Sequence, residues 1–132
     1  MEKEAINHNL LKVGDPGWAI QYCLSRLSEL RNLKSMLKHL LVEGGIGGDI
    51  DWGIHKWDEH TEEDYGIKKF DGYRYYVGEN DHGILGHGNI EEFTSEKRLK
   101  ELLSPIVRLY MHDHPAEDSE LKEMANRLGI EL

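Results

Sequence analysis

The chain has 132 residues, of which 39% are hydrophobic and 31% are charged, and its formal net charge is −9 at pH 7. This length and balance predict one globular domain spanning residues 1–132, rather than a disordered chain. The negative charge argues against direct binding to nucleic acids or to anionic membranes, because both are polyanions.

The sequence predicts a cytoplasmic protein. It contains no stretch of about 18 apolar residues, and its first residues, MEKEAINHNLL, lack the apolar run of a secretion signal. Its one cysteine, Cys23, cannot form an internal disulfide and lies in an apolar helical pattern, so we expect it to be buried and unreactive.

Helices are predicted before residue 45. Ile6, Leu10 and Leu11 indicate a short helix that ends before Gly14. Asp15 and Pro16 are typical of a helix start, because aspartate caps free amides and proline has no amide of its own. A long helix should follow, since apolar residues recur every three or four positions at Ile20, Leu24, Leu27, Leu30, Leu33, Leu37 and Leu40.

The middle of the chain has the pattern of strands. Four glycines within residues 44–48 predict a flexible turn that ends the long helix. Alternating apolar residues then predict three or four antiparallel strands at residues 49–57, 65–70, 73–78 and 83–91. Hairpin turns are expected at Asp71-Gly72 and between Asn80 and Gly83.

Two helices are predicted after the strands. Thr94 or Ser95 can cap the first, and Pro105 should kink or split it, because the proline ring clashes with the carbonyl four residues earlier. The second helix opens within residues 115–120 and ends at Gly129. The predicted fold is therefore α+β, with a long N-terminal helix, a central antiparallel sheet of three to four strands and two C-terminal helices.

The negative charge is concentrated between residues 49 and 92, which hold twelve acidic and four basic residues. In the first part of this region, two tryptophans and a tyrosine alternate with seven acids and one lysine. Aromatic side chains anchor protein interfaces, and complementary charge steers a partner of opposite sign. The pattern predicts a docking surface for a basic protein, formed by Asp49, Asp51, Trp52, Trp57, Asp58, Glu59, Glu62, Glu63, Asp64, Tyr65, Glu79 and Asp81.

Other interpretations stay open. Trp52 and Trp57 could belong to the core, with the acids in an ordinary solvated loop. The chain could instead be a metal-dependent enzyme or sensor, although none of its histidines has a recognisable metal spacing; the weak candidates are His82, His87, His112 and His114. We expect no cofactor.

Catalysis is not expected from this sequence. Every serine falls in or beside a predicted helix, where none forms a constrained nucleophile turn. The paired acids Glu91 and Glu92 should point to opposite faces of a strand, so they do not form one acid–base pair.

In size, charge and order of elements, the chain resembles the immunity proteins encoded beside bacterial toxins such as colicins and contact-dependent inhibition toxins. The resemblance is carried by the acidic stretch from Asp49 to Tyr65 and by Glu79, Asp81, Glu91 and Glu92. It implies a non-catalytic inhibitor that binds a cognate toxin domain, often a basic nuclease, and covers its active site. A nucleic-acid mimic or a structural subunit is the alternative, and both a monomer and a homodimer fit the sequence.

Overall fold

A computed structural model describes residues 11–29, 32–49, 51–59, 62–63 and 66–132, with the backbone alone at residues 48 and 49. The described part has an α+β fold, in which helices pack on a four-stranded antiparallel sheet. The predicted fold class is therefore confirmed. The short helix predicted around Ile6 and Leu10 lies outside the described residues.

The prediction of one long N-terminal helix is wrong. Helix α1 spans Trp18–Ser28 and helix α2 spans Leu33–Leu37. A π-helical segment, Lys38–Val42, follows α2 directly. The side chain of Asn32 accepts a hydrogen bond from the amide of Ser35 at 3.0 Å, which starts α2 as a separate helix. Of the apolar positions predicted for this helix, Leu27, Leu33, Leu37 and Leu40 are buried, whereas Ile20 and Leu24 are only partly buried.

Helix α1 also begins differently from the prediction. The carboxylate of Asp15 accepts from the amide of Lys12 at 2.9 Å rather than capping the helix. The free amides at the start of α1 belong to Gly17 and Ile20, and they donate to the two carboxylate oxygens of Glu92 at 2.5 and 3.0 Å. The helix is therefore capped by a residue far away in the sequence.

The sheet has the order β1-β2-β3-β4, with strands at Gly45–Asp49, Trp52–Lys56, Tyr73–Val77 and Ile90–Thr94. The glycine-rich turn predicted at residues 44–48 is thus mostly strand β1. Strand β1 pairs with β2, and a side chain at Gly45 would collide with the His55 ring, whose Nδ1 lies 2.1 Å from the position of a Cβ. The missing side chain therefore makes room for the neighbouring strand's imidazole.

Two of the predicted strands differ from the structure. Residues 66–70 form no strand, so Asp71-Gly72 leads into β3 without closing a hairpin. The strand predicted at 83–91 begins only at Ile90, and the turn expected at Asn80 to Gly83 is the short helix α3, Glu79–His82, followed by a loop. Hydrogen bonds from side chains hold this loop. Such bonds produce no regular spacing of residue types from which the loop could be predicted.

The C-terminal helices begin and end largely as predicted. Ser95 caps helix α4, Glu96–Asp113, by accepting from the amide of Arg98 at 3.0 Å. Of the two effects expected at Pro105, a kink or a split, the split is wrong, because α4 is continuous through this residue. Pro105 is exposed, so the carbonyl that loses its helical partner lies on the side facing water. Helix α5 spans Asp118–Leu128 and ends at Gly129.

One face of the sheet forms the core with the helices. Trp52, Ile54, Tyr73, Tyr75 and Val77 project from this face and are buried. Helices α1, α4 and α5 cover the same cluster with Ala19, Cys23, Leu27, Leu99, Leu103, Val107, Leu121 and Ala125. Within the described ranges, no helix is both long and apolar enough to cross a membrane.

Replacing Glu92 with glutamine should weaken the cap of α1. The amide retains the shape but loses the negative charge that favours a helix N-terminus, so the free energy of unfolding should fall by about 1–2 kcal/mol. Urea denaturation measures this change. Glu123→Gln, at an exposed position of α5, serves as the matched control and should stay within about 0.5 kcal/mol of the parent. Equal effects of the two substitutions would show that Glu92 does not cap α1.

Candidate protein-binding surface

The predicted docking residues lie beyond opposite ends of strands β2 and β3. At one end Trp52 pairs with Val77, and Asp51, Glu79 and Asp81 lie in the adjoining turns. At the other end Lys56 pairs with Tyr73, and the chain continues into residues 57–63. A five-residue strand separates these ends by about 13 Å. The predicted residues therefore form two separate groups rather than one acidic face.

Asp81 has partners inside the protein. Its carboxylate accepts from the Tyr22 hydroxyl at 2.8 Å and from Nη1 of Arg26 at 3.2 Å, and its side chain is only 15% exposed. Burial, together with the hydrogen bond to this carboxylate, raises the pKa of Tyr22. Asp81 thus connects α3 to α1.

Glu79 shapes the loop that follows α3. Its carboxylate accepts from the amides of Gly88 at 2.8 Å and Gly86 at 3.1 Å, and these two hydrogen bonds lower the pKa of Glu79. The loop, residues 83–89, presents Leu85 with 88% of its surface exposed. The negative charge of Glu79 therefore stabilises hydrogen bonds within the loop.

Glu91 and Glu92 project to opposite faces of β4, as the alternation of a strand requires. Glu91 accepts from Nε of Arg74 at 2.7 Å and also forms an ion pair with Nη2 of that residue. Glu92 caps α1 on the other face. Both carboxylates that support the family resemblance in this strand have intramolecular partners.

The two tryptophans differ in burial. Trp52 is 1% exposed, so the interpretation that places it in the core holds for this residue. Trp57 is half-buried, and its indole Nε1 donates to the carbonyl of Ile67 at 3.0 Å. The ammonium of Lys69 lies 5.8 Å from the centroid of the Trp57 ring system. Only Trp57 is placed where part of its ring can meet a partner.

Exposed carboxylates cluster between β2 and β3. We call Asp58, Glu59, Glu62 and Glu63 the acidic segment, and all four are exposed. Asp51 is half-buried, and Asp49 is described by its backbone alone. Asp64 and Tyr65 lie outside the described residues. Among the residues whose side chains are described, the predicted acids that are fully exposed are therefore those of this segment.

Two hydrogen bonds link the beginning and the end of the connection that contains the acidic segment. The indole of Trp57 reaches the carbonyl of Ile67, and the amide of Gly66 donates to the carbonyl of Glu62 at 2.8 Å. Gly66 has a φ of +69°, a conformation that glycine adopts at little cost. These contacts hold Trp57 close to the residues that follow the acidic segment. They therefore restrict the conformations available to the segment.

Of the candidate metal-binding histidines, His82 and His114 have other contacts. Both ring nitrogens of His82 contact backbone groups, Nε2 the Gly88 carbonyl at 2.7 Å and Nδ1 the Ile84 amide at 3.0 Å. His114 stacks on Tyr110 with ring centroids 4.0 Å apart. Across the part of the chain that the structure describes, no group of three or more histidine, cysteine or acidic side chains could hold a metal ion.

The sheet face opposite the core carries a cluster that our sequence reasoning missed. The Tyr76 ring stacks on His55 at 5.9 Å and lies 4.7 Å below the Arg74 guanidinium. Gly53 permits this arrangement, because a Cβ there would lie 2.7 Å from Tyr76 atoms. Burial and the charge of Arg74 lower the pKa of His55. Alternation in β2 and β3 could have revealed this face, since these residues alternate with Trp52, Ile54 and Tyr75.

We expect the protein to lose stability in alkaline solution, because two buried groups near α1 have raised pKa values. Burial raises the pKa of Cys23 from 9.0 to about 12 and that of Tyr75 from 10.0 to about 12. Since the folded state favours the neutral forms, their contribution is complete below pH 9 and is lost as the pH rises towards 12. Urea denaturation at increasing pH should show this decline, and Tyr75→Phe should reduce its slope.

The Cys23 thiol should also resist modification. It lies in the core, with its sulfur 3.6 Å from the Gly53 carbonyl and 3.5 Å from that of Tyr76. A thiol reagent should therefore label the unfolded protein and leave the folded protein unlabelled. Rapid labelling of the folded protein would contradict this placement.

The described surface thus combines exposed carboxylates beside Trp57 with other acids that stabilise the fold. The geometry is that of a charged, partly aromatic patch, which suits contact with a positively charged macromolecule. Comparisons of the chain with family models, with curated proteins and with solved structures give no match.

Proposed function

We propose that this protein is a non-catalytic binding protein that captures a basic protein partner through the acidic segment. In its most specific form, the proposal is an immunity protein of the bacterial cytoplasm that neutralises a cognate toxin domain. The observation that carries the proposal is the exposure of the acidic segment. Its four acidic residues are all exposed, and they lie in one short connection beside the half-buried Trp57.

Exposed carboxylates are suited to attracting a partner over a distance. Interactions between exposed charges extend over roughly 8–10 Å in physiological salt, and like charges held together add their fields. A basic protein should therefore associate faster and orient its positive surface towards the segment. The acids would contribute mainly to the association rate and to specificity.

Trp57 supplies apolar surface next to these charges. Aromatic side chains at the centre of an interface contribute much of the binding free energy when water is excluded around them. Trp57 is half-buried, and its hydrogen bond to Ile67 fixes the indole, so little side-chain entropy is lost on binding. A fixed aromatic ring that is followed in the chain by exposed carboxylates is the proposed centre of contact.

Masking of a toxin active site follows from the same chemistry. A nuclease binds phosphates with basic side chains, and carboxylates can occupy that positive site in place of the substrate. The inhibitor then needs no reactive group of its own. Under this proposal the toxin domain is inhibited because its substrate can no longer enter.

The proposal is tested by removing the charge of the acidic segment. The partner is first captured from the native cell, identified by mass spectrometry and purified. The variant with Asp58→Asn, Glu59→Gln, Glu62→Gln and Glu63→Gln should then bind about tenfold to a hundredfold more weakly, mainly through a slower association rate. Its affinity should also depend less on salt, because fewer charges are screened.

A matched control carries the same change in net charge elsewhere. Glu101→Gln, Asp113→Asn, Glu123→Gln and Glu131→Gln neutralise four exposed acids at the C-terminal part of the chain. This variant should bind like the parent. Equal weakening by both variants would mean that net charge alone attracts the partner, and unchanged binding by the acidic-segment variant would place the interface elsewhere.

The toxin-specific part needs an activity assay. The purified partner should lose its toxic activity when an equimolar amount of this protein is added, and regain it with the acidic-segment variant at the same concentration. Tight binding without inhibition would retain the binding function and reject the immunity function. Displacement of the partner from DNA without any toxic activity would instead favour a nucleic-acid mimic.

A further inference from the structure

Loop 83–89, at the other end of the sheet from the acidic segment, is organised around a buried histidine. His82 ends helix α3 and is 7% exposed. Its Nδ1 accepts a hydrogen bond from the amide of Ile84 at 3.0 Å, and its Nε2 lies 2.7 Å from the carbonyl of Gly88. The ring therefore holds both sides of the loop.

These contacts require one form of the imidazole. A backbone amide can only donate, so Nδ1 must be unprotonated, and a carbonyl can only accept, so Nε2 must carry the proton. Adding a second proton to Nδ1 places two donors against each other. The contact to Ile84 is then lost, while the contact from Nε2 to Gly88 remains.

The loop has a second support that does not involve this proton. The Glu79 carboxylate accepts from the amides of Gly86 and Gly88, and these contacts lower its pKa, so it remains ionised in mildly acidic solution. Protonation of His82 should therefore release the first part of the loop and leave the second part in place. That first part contains Ile84, 42% exposed, and Leu85, 88% exposed.

We propose that His82 is a proton-sensitive latch, which holds Ile84 and Leu85 in their exposed conformation while its ring is neutral and releases them when Nδ1 is protonated. The latch lies away from the acidic segment and does not depend on the function proposed for that segment. It makes the presentation of an apolar loop tip depend on pH. Histidine is the side chain suited to this role, because it normally changes charge between about pH 5 and 8.

Neighbouring groups set the electrostatic surroundings of the latch. His87 meets His82 edge-on, with the two ring centroids 5.5 Å apart, and the Glu79 carboxylate faces both rings. From helix α1, Arg26 and Tyr22 reach Asp81, the residue before His82. At the start of α3, Asp51 lies beside Gly78. A positive charge on His82 would be favoured by Glu79 and opposed by a protonated His87.

The latch is tested by NMR on the wild-type protein between about pH 8 and pH 5. Long-range nitrogen–proton spectra should show at the upper pH that His82 carries its proton on Nε2. On acidification, the protection factor of the Ile84 amide, which corrects for the pH dependence of intrinsic exchange, should fall about fivefold to tenfold, the change expected for one lost hydrogen bond. The midpoint should coincide with the titration of the His82 ring.

Two internal references separate the latch from general unfolding. The Gly88 amide, held by Glu79, and the amide of the core residue Leu103 should keep their protection throughout the titration. Simultaneous exposure of all three amides would overturn the proposal, because the change would then be unfolding. A proton on Nδ1 at the upper pH would overturn it directly.

Matched substitutions assign the change to one ring. His82→Asn keeps an acceptor near the position of Nδ1 but does not titrate, so the transition at Ile84 should disappear. His87→Asn removes the neighbouring imidazole and should leave the transition in place. The opposite pattern would assign the proton to His87 and overturn the latch. If His82→Asn does not fold, the wild-type tautomer and the His87→Asn titration still decide the question.

Discussion

The fold depends on the contact between the Glu92 carboxylate and the first amides of helix α1. Glu92 lies on β4, and the amides of Gly17 and Ile20 donate to its two oxygens. This contact sets the start of α1 and places Ala19, Cys23 and Leu27 against the buried face of the sheet. A negative charge is favourable there because a helix N-terminus has free donors and a positive dipole end.

Acidic residues in the central part of the chain have two kinds of role. Some stabilise the structure: Glu92 caps a helix, Asp81 joins α3 to α1, and Glu79 organises a loop. The acidic segment is instead exposed to solvent. Net charge alone therefore overstates the surface available to a basic partner, and the proposed interface is one short connection beside Trp57.

Local patterns allowed much of the fold to be predicted from the sequence. Ser95 caps α4 and Gly129 ends α5, because both act through neighbouring backbone groups. Apolar spacing correctly identified the buried side of α2, whereas in α1 the buried residues are Ala19, Cys23 and Leu27, and the predicted Ile20 and Leu24 are only partly buried. It could not show that α1 ends at Ser28 and that α2 begins separately at Leu33, because the apolar spacing continues from one helix to the other.

Contacts between distant residues account for the remaining errors. Strand β1 is glycine-rich and has low strand propensity by itself, but β2 pairs with it and places the His55 ring over Gly45. The prediction of the candidate surface was partly wrong for the same reason. Composition placed Glu79 and Asp81 with the acidic segment, whereas the strand register places them at the opposite end of the sheet. Burial of Trp52 likewise depends on the helices that cover it.

The proposed interface is the connection between β2 and β3. Hydrogen–deuterium exchange of the purified complex, compared with the free protein, locates the partner on the surface. Peptides covering Trp57 to Glu63 should gain protection when the partner binds, while those covering α4 and α5 should exchange as before. Protection confined to α4 and α5, with the acidic segment unchanged, would contradict this placement of the interface.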